Sequence, residues 1–420
     1  MQRELPQRGR PVGEVIAELE RKRSGDARWE DGRTFGMVYD GGPSVREAAE
    51  RAALLFLHEN ALNTKAFPSL GEIQAEVVGW TASLLNGPAS CAGFLTSGGT
   101  ESILCAVLAA RERALAERGV REPELVLCES AHAAFHKAAH LFGLRVRKTP
   151  VRADFTADVD AMAAAVCERT ALVVGSAPQY PQGVVDPIPE IAALAARVGA
   201  SCHVDACMGG FVLPFAERLG RAVPPWDFRV EGVHSISADI HKLGYAPKGV
   251  SVILYRAREL RRHQTFVFDG WLGGFYASPN LQGSRSGLPM AAAWAVMQHL
   301  GIEGYCARTE QALANADRIR AGIAATAGVR VLGASPYHLI AMAGDPTAEG
   351  GPLDVFALGD ALLARGWHHD RQTPPDSLHS TVSFGNTGAV DNYLAALEES
   401  VREVRGRRAG DRSTRYATLE

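Results

Sequence analysis

The segment TALVVGSAPQYPQGVVDPIPEIAALAARVGASCHVDACMGGF, residues 170–211, indicates the fold class of this chain. It begins with an apolar strand-like run, continues through a predicted helix over residues 189–198, and ends in a second apolar run, SCHVDACMG. A strand, a helix and a strand in this order are typical of a parallel sheet that is covered by helices.

The same alternation extends in both directions from this segment. Helical patterns separate further strand-like runs, which are CAGFLT, ELVLC and RVRKTPV before it and HSISADI and SVILYR after it. The sequence therefore predicts an α/β fold with a mostly parallel central sheet and helices on both faces.

The pattern changes after Arg256. Residues 270–289 are rich in Gly, Ser and aromatic side chains, which favours an irregular functional segment, and helices are predicted over 290–300 and 307–325. The strand-like runs VRVLG, HLIAMAG and STVSFGN, with the helical DVFALGDALLARG among them, predict a small C-terminal α+β domain. We expect an N-terminal arm with helices that pack on a partner subunit (1–60), a large domain (61–300) and the small domain (301–420), with a frayed polar end from 405.

Composition excludes several classes of protein. Of the 420 residues, 46% are hydrophobic and 22% charged, which is ordinary for a soluble globular chain. The net charge of -3 does not indicate nucleic acid as a partner. No apolar run is long enough to predict a membrane span, and the N-terminus has no apolar signal core. The seven cysteines form no Cys-x-x-Cys pair, which favours reduced thiols and a cytoplasmic location, although composition is silent about export into a host cell.

Two turns at predicted strand ends suggest ligand contacts. In LTSGGTES, residues 95–102, glycines before a long helix let backbone N–H groups approach an anion, although a simple capping turn has the same appearance. In HVDACMGGF, residues 203–211, Asp205 ends an apolar strand, where open α/β sheets place ligands. A buried carboxylate needs a cationic partner, and a protonated ring nitrogen would serve; the alternative is an Asp that caps the next turn.

A lysine between two apolar strands gives the strongest signal. In SADIHKLGYAPKG, residues 237–249, Lys242 is flanked by apolar residues, which lowers the pKa of a lysine and frees its amine for Schiff-base chemistry. His241 beside it can donate to an anion, and Lys248 follows six positions later. The alternative is a pair of solvated loop lysines.

Three histidines lie at helical spacing in SAHAAFHKAAH, residues 130–140. His132, near the helix start, can face a cofactor ring. His136 and His140 follow at i, i+4 spacing, but a metal site is not favoured because no carboxylate shares their face. An anion cradle, an aromatic lid, a buried acid and a loop lysine together form the set of groups that pyridoxal phosphate requires.

These motifs resemble those of a known family. HVDACMGGF and SISADIHKLGYAPKGVSVILY are similar to the sphingosine-1-phosphate lyases, a branch of the group II decarboxylase-like, fold-type I pyridoxal phosphate enzymes. Further matching segments follow the family order: NALNTKAFPSL, LTSGGTESI, SAHAAFHKAA, APQYPQGVVDPI and GGFYASPNLQGSR. The Ala-Pro-Lys-Gly segment favours the lyase branch over the amino acid decarboxylases.

The resemblance implies a role for each matching residue. Lys242 would bind the cofactor covalently, Asp205 would pair with its ring nitrogen, and His132 would stack on its ring. The cofactor phosphate would be bound by these residues: Gly98, Gly99, Thr100, His241 and, from a neighbouring subunit, Ser284. The substrate would be bound by another set: Tyr39, Asn63, Tyr180 and Lys248. The family forms homodimers with sites at the interface.

Two departures from the family pattern affect these expectations. Asn63 stands where the family often has histidine, so this position cannot carry charge or shuttle protons. The N-terminal membrane anchor of the eukaryotic enzymes has no counterpart, so the chain resembles the soluble bacterial type.

The resemblance implies retro-aldol cleavage of sphingosine 1-phosphate to a fatty aldehyde and phosphoethanolamine. The base for the C3 hydroxyl stays open among Lys242, Tyr180, His132 and the substrate phosphate. One alternative is an amino acid decarboxylase, or a lyase of another phosphorylated amino alcohol, on the same fold. A second is a non-catalytic homologue that binds a lipid phosphate or a partner protein.

Overall fold

A central sheet organises the large domain of the computed structural model, which describes residues 4–414. Within this range the sheet has seven strands in the order β1-β7-β6-β5-β4-β2-β3. Their bounds are β1 (Ala92–Thr96), β2 (Glu124–Cys128), β3 (Arg145–Thr149), β4 (Thr170–Ser176), β5 (Ser201–Asp205), β6 (Ser235–Ala238) and β7 (Ser251–Tyr255). Only β7 runs antiparallel to its neighbours among these described strands, which confirms a mostly parallel sheet.

Helices precede, connect and follow these strands. Those of the N-terminal region and the large domain are α1 (Val12–Arg23), α2 (Pro43–Leu55), α3 (Pro68–Leu84), α4 (Gly99–Arg118), α5 (Ala134–Phe142), α6 (Val159–Ala165), α7 (Ile188–Arg197), α8 (Leu213–Arg218) and α9 (Arg258–Arg261). The long α10 (Gly287–Ala325) leads into the small domain.

Alternate residues of the central strands pack on opposite helical layers. Val173 of β4 belongs to a core with Ile188 and Ile191 of α7. Its neighbour Leu172 belongs to a different core with Ile103 of α4. Because successive strand residues point to opposite faces, a continuously apolar strand requires helices on both sides of the sheet, as predicted.

The small domain contains a four-stranded antiparallel sheet within the described residues, in the order β10-β11-β13-β12. Its strands and helices are β10 (Val329–Leu332), β11 (Leu339–Gly344), β12 (Asp370–Gln372), β13 (Ser377–Thr381), α11 (Val355–Ala364) and α12 (Val390–Val404). The last strand ends earlier than the run STVSFGN predicts, because Ser383 and Asn386 cap one another around a single 3-10 turn over Phe384–Asn386.

The segment between the domains differs from the prediction in one way and agrees with it in another. Residues 270–289 contain strand β9 (Tyr276–Ser278), which pairs with β8 (Phe266–Phe268), and the first turn of α10. A break in helical geometry at Gly301, whose φ is 53°, divides α10 into two helices, and the first of them ends at residue 300 as predicted. Glycine tolerates this left-handed conformation at little cost.

Residues 4–60 divide between packed and exposed parts. Helix α1 buries none of its residues in the single chain. Helix α2, in contrast, packs along α10 of the same chain, and Phe35 is buried in the core of the small domain. Among the described helices, none is both long enough and apolar enough to cross a bilayer.

Candidate active site

A cavity of about 320 Å³ lies at the carboxyl ends of the parallel strands. It brings together eight of the residues that the sequence singles out: Gly98, Gly99, Thr100, His132, Tyr180, Asp205, His241 and Lys242. They come from the segments that follow β1, β2, β4 and β6 and from the last residue of β5. Parallel strands end at one edge of a sheet, so residues distant in sequence meet there.

The glycine turn before α4 has no room for a side chain. A Cβ on Gly99 would lie 2.8 Å from Cys207 Sγ and 2.9 Å from both carboxylate oxygens of Asp239. Glu101 holds the turn in shape, because its carboxylate accepts hydrogen bonds from the backbone N–H groups of Ser97 and Leu281. The turn therefore presents backbone N–H groups and a helix N-terminus to the cavity, which suits an anion.

Lys242 forms a buried ion pair with Asp239. The two atoms Lys242 Nζ and Asp239 Oδ2 are 3.0 Å apart, and the Asp239 side chain is only 2% exposed. Burial opposes ionisation of Asp239, but the charge of Lys242 and a 2.6 Å hydrogen bond from Ser251 help to outweigh it and hold the pKa of the carboxyl below its usual value. The pair thus fixes the amine of Lys242 at the cavity wall.

Asp205 is oriented by hydrogen bonds at the end of β5. Its Oδ1 accepts from the backbone N–H of Cys207 at 3.0 Å and from the Ser237 hydroxyl at 3.3 Å. Behind it, the ring of His203 contacts the hydroxyls of Ser235 and Ser237, and burial lowers the pKa of His203 to about 4. A neutral His203 leaves Asp205 free to serve a cation within the cavity.

Two further histidines line the cavity. The Nδ1 atom of His132 accepts a hydrogen bond from the backbone N–H of Ala134 at 3.1 Å, which orients the ring, and burial lowers the pKa of His132. Burial also lowers the pKa of His241 to about 4, although Asp239 acts in the opposite direction. By contrast, His136 and His140 are exposed on α5, and no group of three or more metal-ligating side chains occurs within residues 4–414.

The cavity fits pyridoxal phosphate. The buried Nδ1 of His241 has no hydrogen-bond partner, and it lies in the wall that also contains the glycine turn, where a phosphate would supply one. A carboxylate, an amine and an imidazole ring complete the set: Asp205 for the ring nitrogen, Lys242 for the aldehyde carbon and His132 for the ring face.

A second cationic group lies beside this cavity. Lys248 Nζ donates to the carbonyl oxygen of His241 at 3.0 Å and lies 4.6 Å from the ring centroid of Tyr39. Although part of the Lys248 side chain reaches solvent, burial lowers the pKa of its ammonium to about 8, and the charge of Lys242 acts in the same direction. Tyr39 and Lys248, to which the family resemblance assigns the substrate phosphate, therefore lie in contact with one another.

Two predicted residues lie away from the cavity of their own chain. The Asn63 side chain accepts hydrogen bonds from the backbone N–H groups of Lys65 and Ala66, so it shapes its own turn. The hydroxyl of Ser284 lies 3.3 Å from the side-chain nitrogen of Asn60. Neither Asn63 nor Ser284 lines the cavity in the single chain.

The structure adds site residues that the sequence analysis missed. Asp239 lies three positions before Lys242, and an acid at that spacing in a short turn is a usable local signal. Asp370 accepts a hydrogen bond from the Tyr180 hydroxyl at 2.6 Å. No local signal could reveal this contact, because 190 positions separate the two residues.

The fold and the site define a pyridoxal-phosphate-dependent enzyme of the α/β class. Residues 48–340 match the pyridoxal-dependent decarboxylase conserved domain. The glutamate decarboxylase of Lactobacillus brevis shares the fold, with a TM-score of 0.83 at 20% identity over 97% of this chain and 96% of that chain.

Comparison with individual proteins narrows the family. Sphingosine-1-phosphate lyase 1 of Rattus norvegicus is 41% identical over 403 residues, which cover 95% of this chain and 70% of the relative. The sphingosine-1-phosphate lyase structure of Burkholderia pseudomallei superposes with a TM-score of 0.91 at 40% identity, covering 97% of this chain and 94% of that one. The chain belongs to the sphingosine-1-phosphate lyase family.

Proposed function

We propose that this chain cleaves sphingosine 1-phosphate and related long-chain base phosphates to a fatty aldehyde and phosphoethanolamine. The observation that carries the proposal is the position of Lys248, whose ammonium contacts the backbone of His241 at the edge of the cofactor cavity. A phosphorylated amino alcohol needs two anion sites close together, one for the cofactor and one for the substrate.

Different residues of the cavity would bind different parts of the cofactor. Gly98, Gly99, Thr100 and His241 would hold its phosphate, and Asp205 would hold a proton on its ring nitrogen. When bound, pyridoxal phosphate supplies an electron sink for the carbon–carbon bond that breaks. Lys242 supplies the amine that attaches the cofactor, and the Asp239 carboxylate keeps that amine in position.

The reaction also needs a base for the C3 hydroxyl and a proton for C2. Lys242, Tyr180 and His132 share the wall of one cavity, so each is placed to move a proton, and the substrate phosphate is a fourth candidate. Lys248 and Tyr39 would orient the substrate through its phosphate, because a charged donor beside a hydroxyl suits a phosphomonoester dianion.

We also propose a cytoplasmic homodimer with its sites at the interface, in which Ser284 and Asn63 complete the cavity of the partner. Apolar side chains left exposed on α1 and on the segment around the β8–β9 pair support a covered surface there. Among them are Ile16 at 49%, Trp271 at 58% and Phe275 at 70% exposure. In this arrangement α1 belongs to the N-terminal arm. The proposed units are the arm (1–60), the large domain (61–300) and the small domain (301–420).

The test of this function is product identification. Purified protein with pyridoxal phosphate is incubated with sphingosine 1-phosphate, and the products are analysed by mass spectrometry. We expect a long-chain aldehyde and phosphoethanolamine in equal amounts. Release of carbon dioxide from an amino acid without aldehyde formation would indicate a decarboxylase instead, and a protein without the visible cofactor band would indicate a non-catalytic homologue.

Replacement of Lys248 by Met should weaken binding of the substrate phosphate. Loss of a hydrogen bond to a charged group costs about 1.5–3 kcal/mol, which is roughly a 10- to 150-fold rise in KM for sphingosine 1-phosphate. Because the pKa of Lys248 is about 8, its charge is present at lower pH and is lost as the pH rises through that value. Wild-type kcat/KM should therefore fall above pH 8, and this part of the fall should be absent from Lys248→Met.

The control for Lys248→Met is Lys137→Met, which changes an exposed lysine on α5. It should leave KM and the pH profile unchanged. An unaltered KM in Lys248→Met would contradict the assignment of the phosphate site.

A further inference from the structure

We infer that Asp370 of the small domain is a positioning residue that accepts the proton of Tyr180 and so connects the active site to solvent by a short proton relay. The inference rests on the proposed function, and it concerns a residue to which neither the sequence motifs nor the family resemblance assigns a role.

The geometry of the Tyr180–Asp370 pair carries the inference. The Tyr180 hydroxyl donates to Asp370 Oδ2 at 2.6 Å, a short distance that is typical of a strong hydrogen bond to a carboxylate. Tyr180 follows β4 in the large domain, whereas Asp370 begins β12 in the small domain. The two domains therefore meet at this hydrogen bond.

Tyr180 lies in the walls of two cavities. It lines the cofactor cavity together with Lys242 and His132, and both Tyr180 and His132 also line an outer cavity of about 690 Å³. Asp370 lines the outer cavity only. A proton that leaves the reacting end of a substrate can thus pass from the inner cavity to Tyr180, then to Asp370, and from there exchange with solvent.

The small domain also fixes the ring of Tyr180. The His379 ring lies against it, with the two ring centroids 3.9 Å apart. His379 Nε2 is hydrogen-bonded to the Thr381 hydroxyl at 2.9 Å, which fixes the His379 ring. Tyr180 is therefore clamped on its face by one small-domain residue and at its hydroxyl by another, which keeps the Oη atom in one place.

Asp370 is suited to accept a proton because it is largely buried and the groups around it are neutral or already paired. Burial raises the pKa of Asp370, while the hydrogen bond from Tyr180 acts in the opposite direction. Burial lowers the pKa values of His379 and His369 to about 3, and it lowers that of His132 as well, so these rings are neutral near pH 7. The adjacent Arg371 is paired with Asp360, and Lys242 with Asp239.

The proton transfer is balanced without any other reactant. The C3 hydroxyl proton moves to Tyr180 Oη as the Tyr180 proton moves to Asp370 Oδ2. The C3 oxygen then forms the aldehyde carbonyl, the C2–C3 bond breaks, and its electron pair stays with the fragment that carries the amine. The proton on Asp370 returns to solvent through the outer cavity, and one proton taken up from solvent is added at C2 to complete phosphoethanolamine, so no net proton is gained or lost.

The experiment compares Asp370→Asn, Tyr180→Phe and the double variant with sphingosine 1-phosphate as substrate. A group that moves a proton contributes about 10²–10⁴-fold, so each single variant should lower kcat by about 10²-fold or more and change KM by less than about threefold. The kcat of the double variant should lie within about threefold of the kcat of the slower single variant. Both substitutions disable the same relay, so their effects should not multiply. In the wild type, kcat should fall at low pH as Asp370 becomes protonated. This fall should be absent from Asp370→Asn.

Stability provides a readout apart from activity. Asparagine can still accept the Tyr180 hydrogen bond and removes a buried charge, so the midpoint of thermal unfolding of Asp370→Asn should equal or exceed that of the wild type at pH 8. The control Asp391→Asn changes a small-domain carboxylate that is 83% exposed and should leave kcat unaltered.

Several results would overturn the relay. They are a wild-type rate in Asp370→Asn, an effect on KM alone, or losses that multiply in the double variant. A lower unfolding midpoint that accounts for the lost activity would indicate a structural role. Wild-type protein that forms no aldehyde would reject the proposed function and the relay with it, whereas active wild type and equally active Asp370→Asn would reject the relay alone.

Discussion

Replacement of Lys242 by Ala should abolish turnover, with a loss larger than the roughly 10⁴-fold that removal of a single proton-transfer group causes. Alanine has no amine, so it cannot attach the cofactor covalently or exchange it with the substrate. The visible absorbance of the attached cofactor should disappear as well. Borohydride reduction followed by mass spectrometry should find the added cofactor mass on the Lys242 peptide of the wild type and on no peptide of the variant.

The same substitution should also destabilise the protein, because it leaves Asp239 buried without its cation. Removing one partner of a buried ion pair typically costs about 3–5 kcal/mol. The double variant Lys242→Ala, Asp239→Asn should recover much of that free energy of unfolding while remaining inactive. Lys137→Ala, on the exposed face of α5, serves as the control for both measurements. Full activity in Lys242→Ala would show that another group attaches the cofactor.

Replacement of Asp205 by Asn should give the second largest loss of activity. Asparagine keeps an oxygen that can accept from Cys207 N–H and the Ser237 hydroxyl, so the end of β5 should keep its structure. The negative charge that would hold a proton on the cofactor ring is lost. Because removing one preorganised electrostatic partner costs about 10²–10³-fold, we expect kcat to fall by about that factor.

Asp205→Asn should differ from Lys242→Ala in its spectrum. The cofactor should still attach to Lys242, so borohydride should still trap it, but the visible band should shift because the ring nitrogen loses its acid partner. Asp160→Asn changes a carboxylate that is 96% exposed and should show neither effect. Unchanged kcat and spectrum in Asp205→Asn would mean that another group serves the ring nitrogen.

Some predictions depended only on local patterns, and the comparisons and the structure confirm them. The alternation of apolar runs and helical patterns predicted the central sheet because strand and helix periodicities are visible within ten residues. The boundaries were less accurate. The early end of β13 depends on one reciprocal cap, which is a weak signal in a sequence.

By itself, the sequence determined the α/β fold, the family and the order of the motifs that meet at the cavity. It could do so because each motif is short and each lies at the end of a strand, where the sheet brings such segments together. Only the tertiary structure decided which atoms meet. It placed Lys248 beside Tyr39, buried Asp239 against Lys242, and left Ser284 outside the cavity of its own chain. It also joined Tyr180, which follows β4, to Asp370 at the start of β12. Periodicity records how a segment folds locally, whereas contacts between distant segments, and the pKa shifts that burial causes, arise only when the whole chain packs.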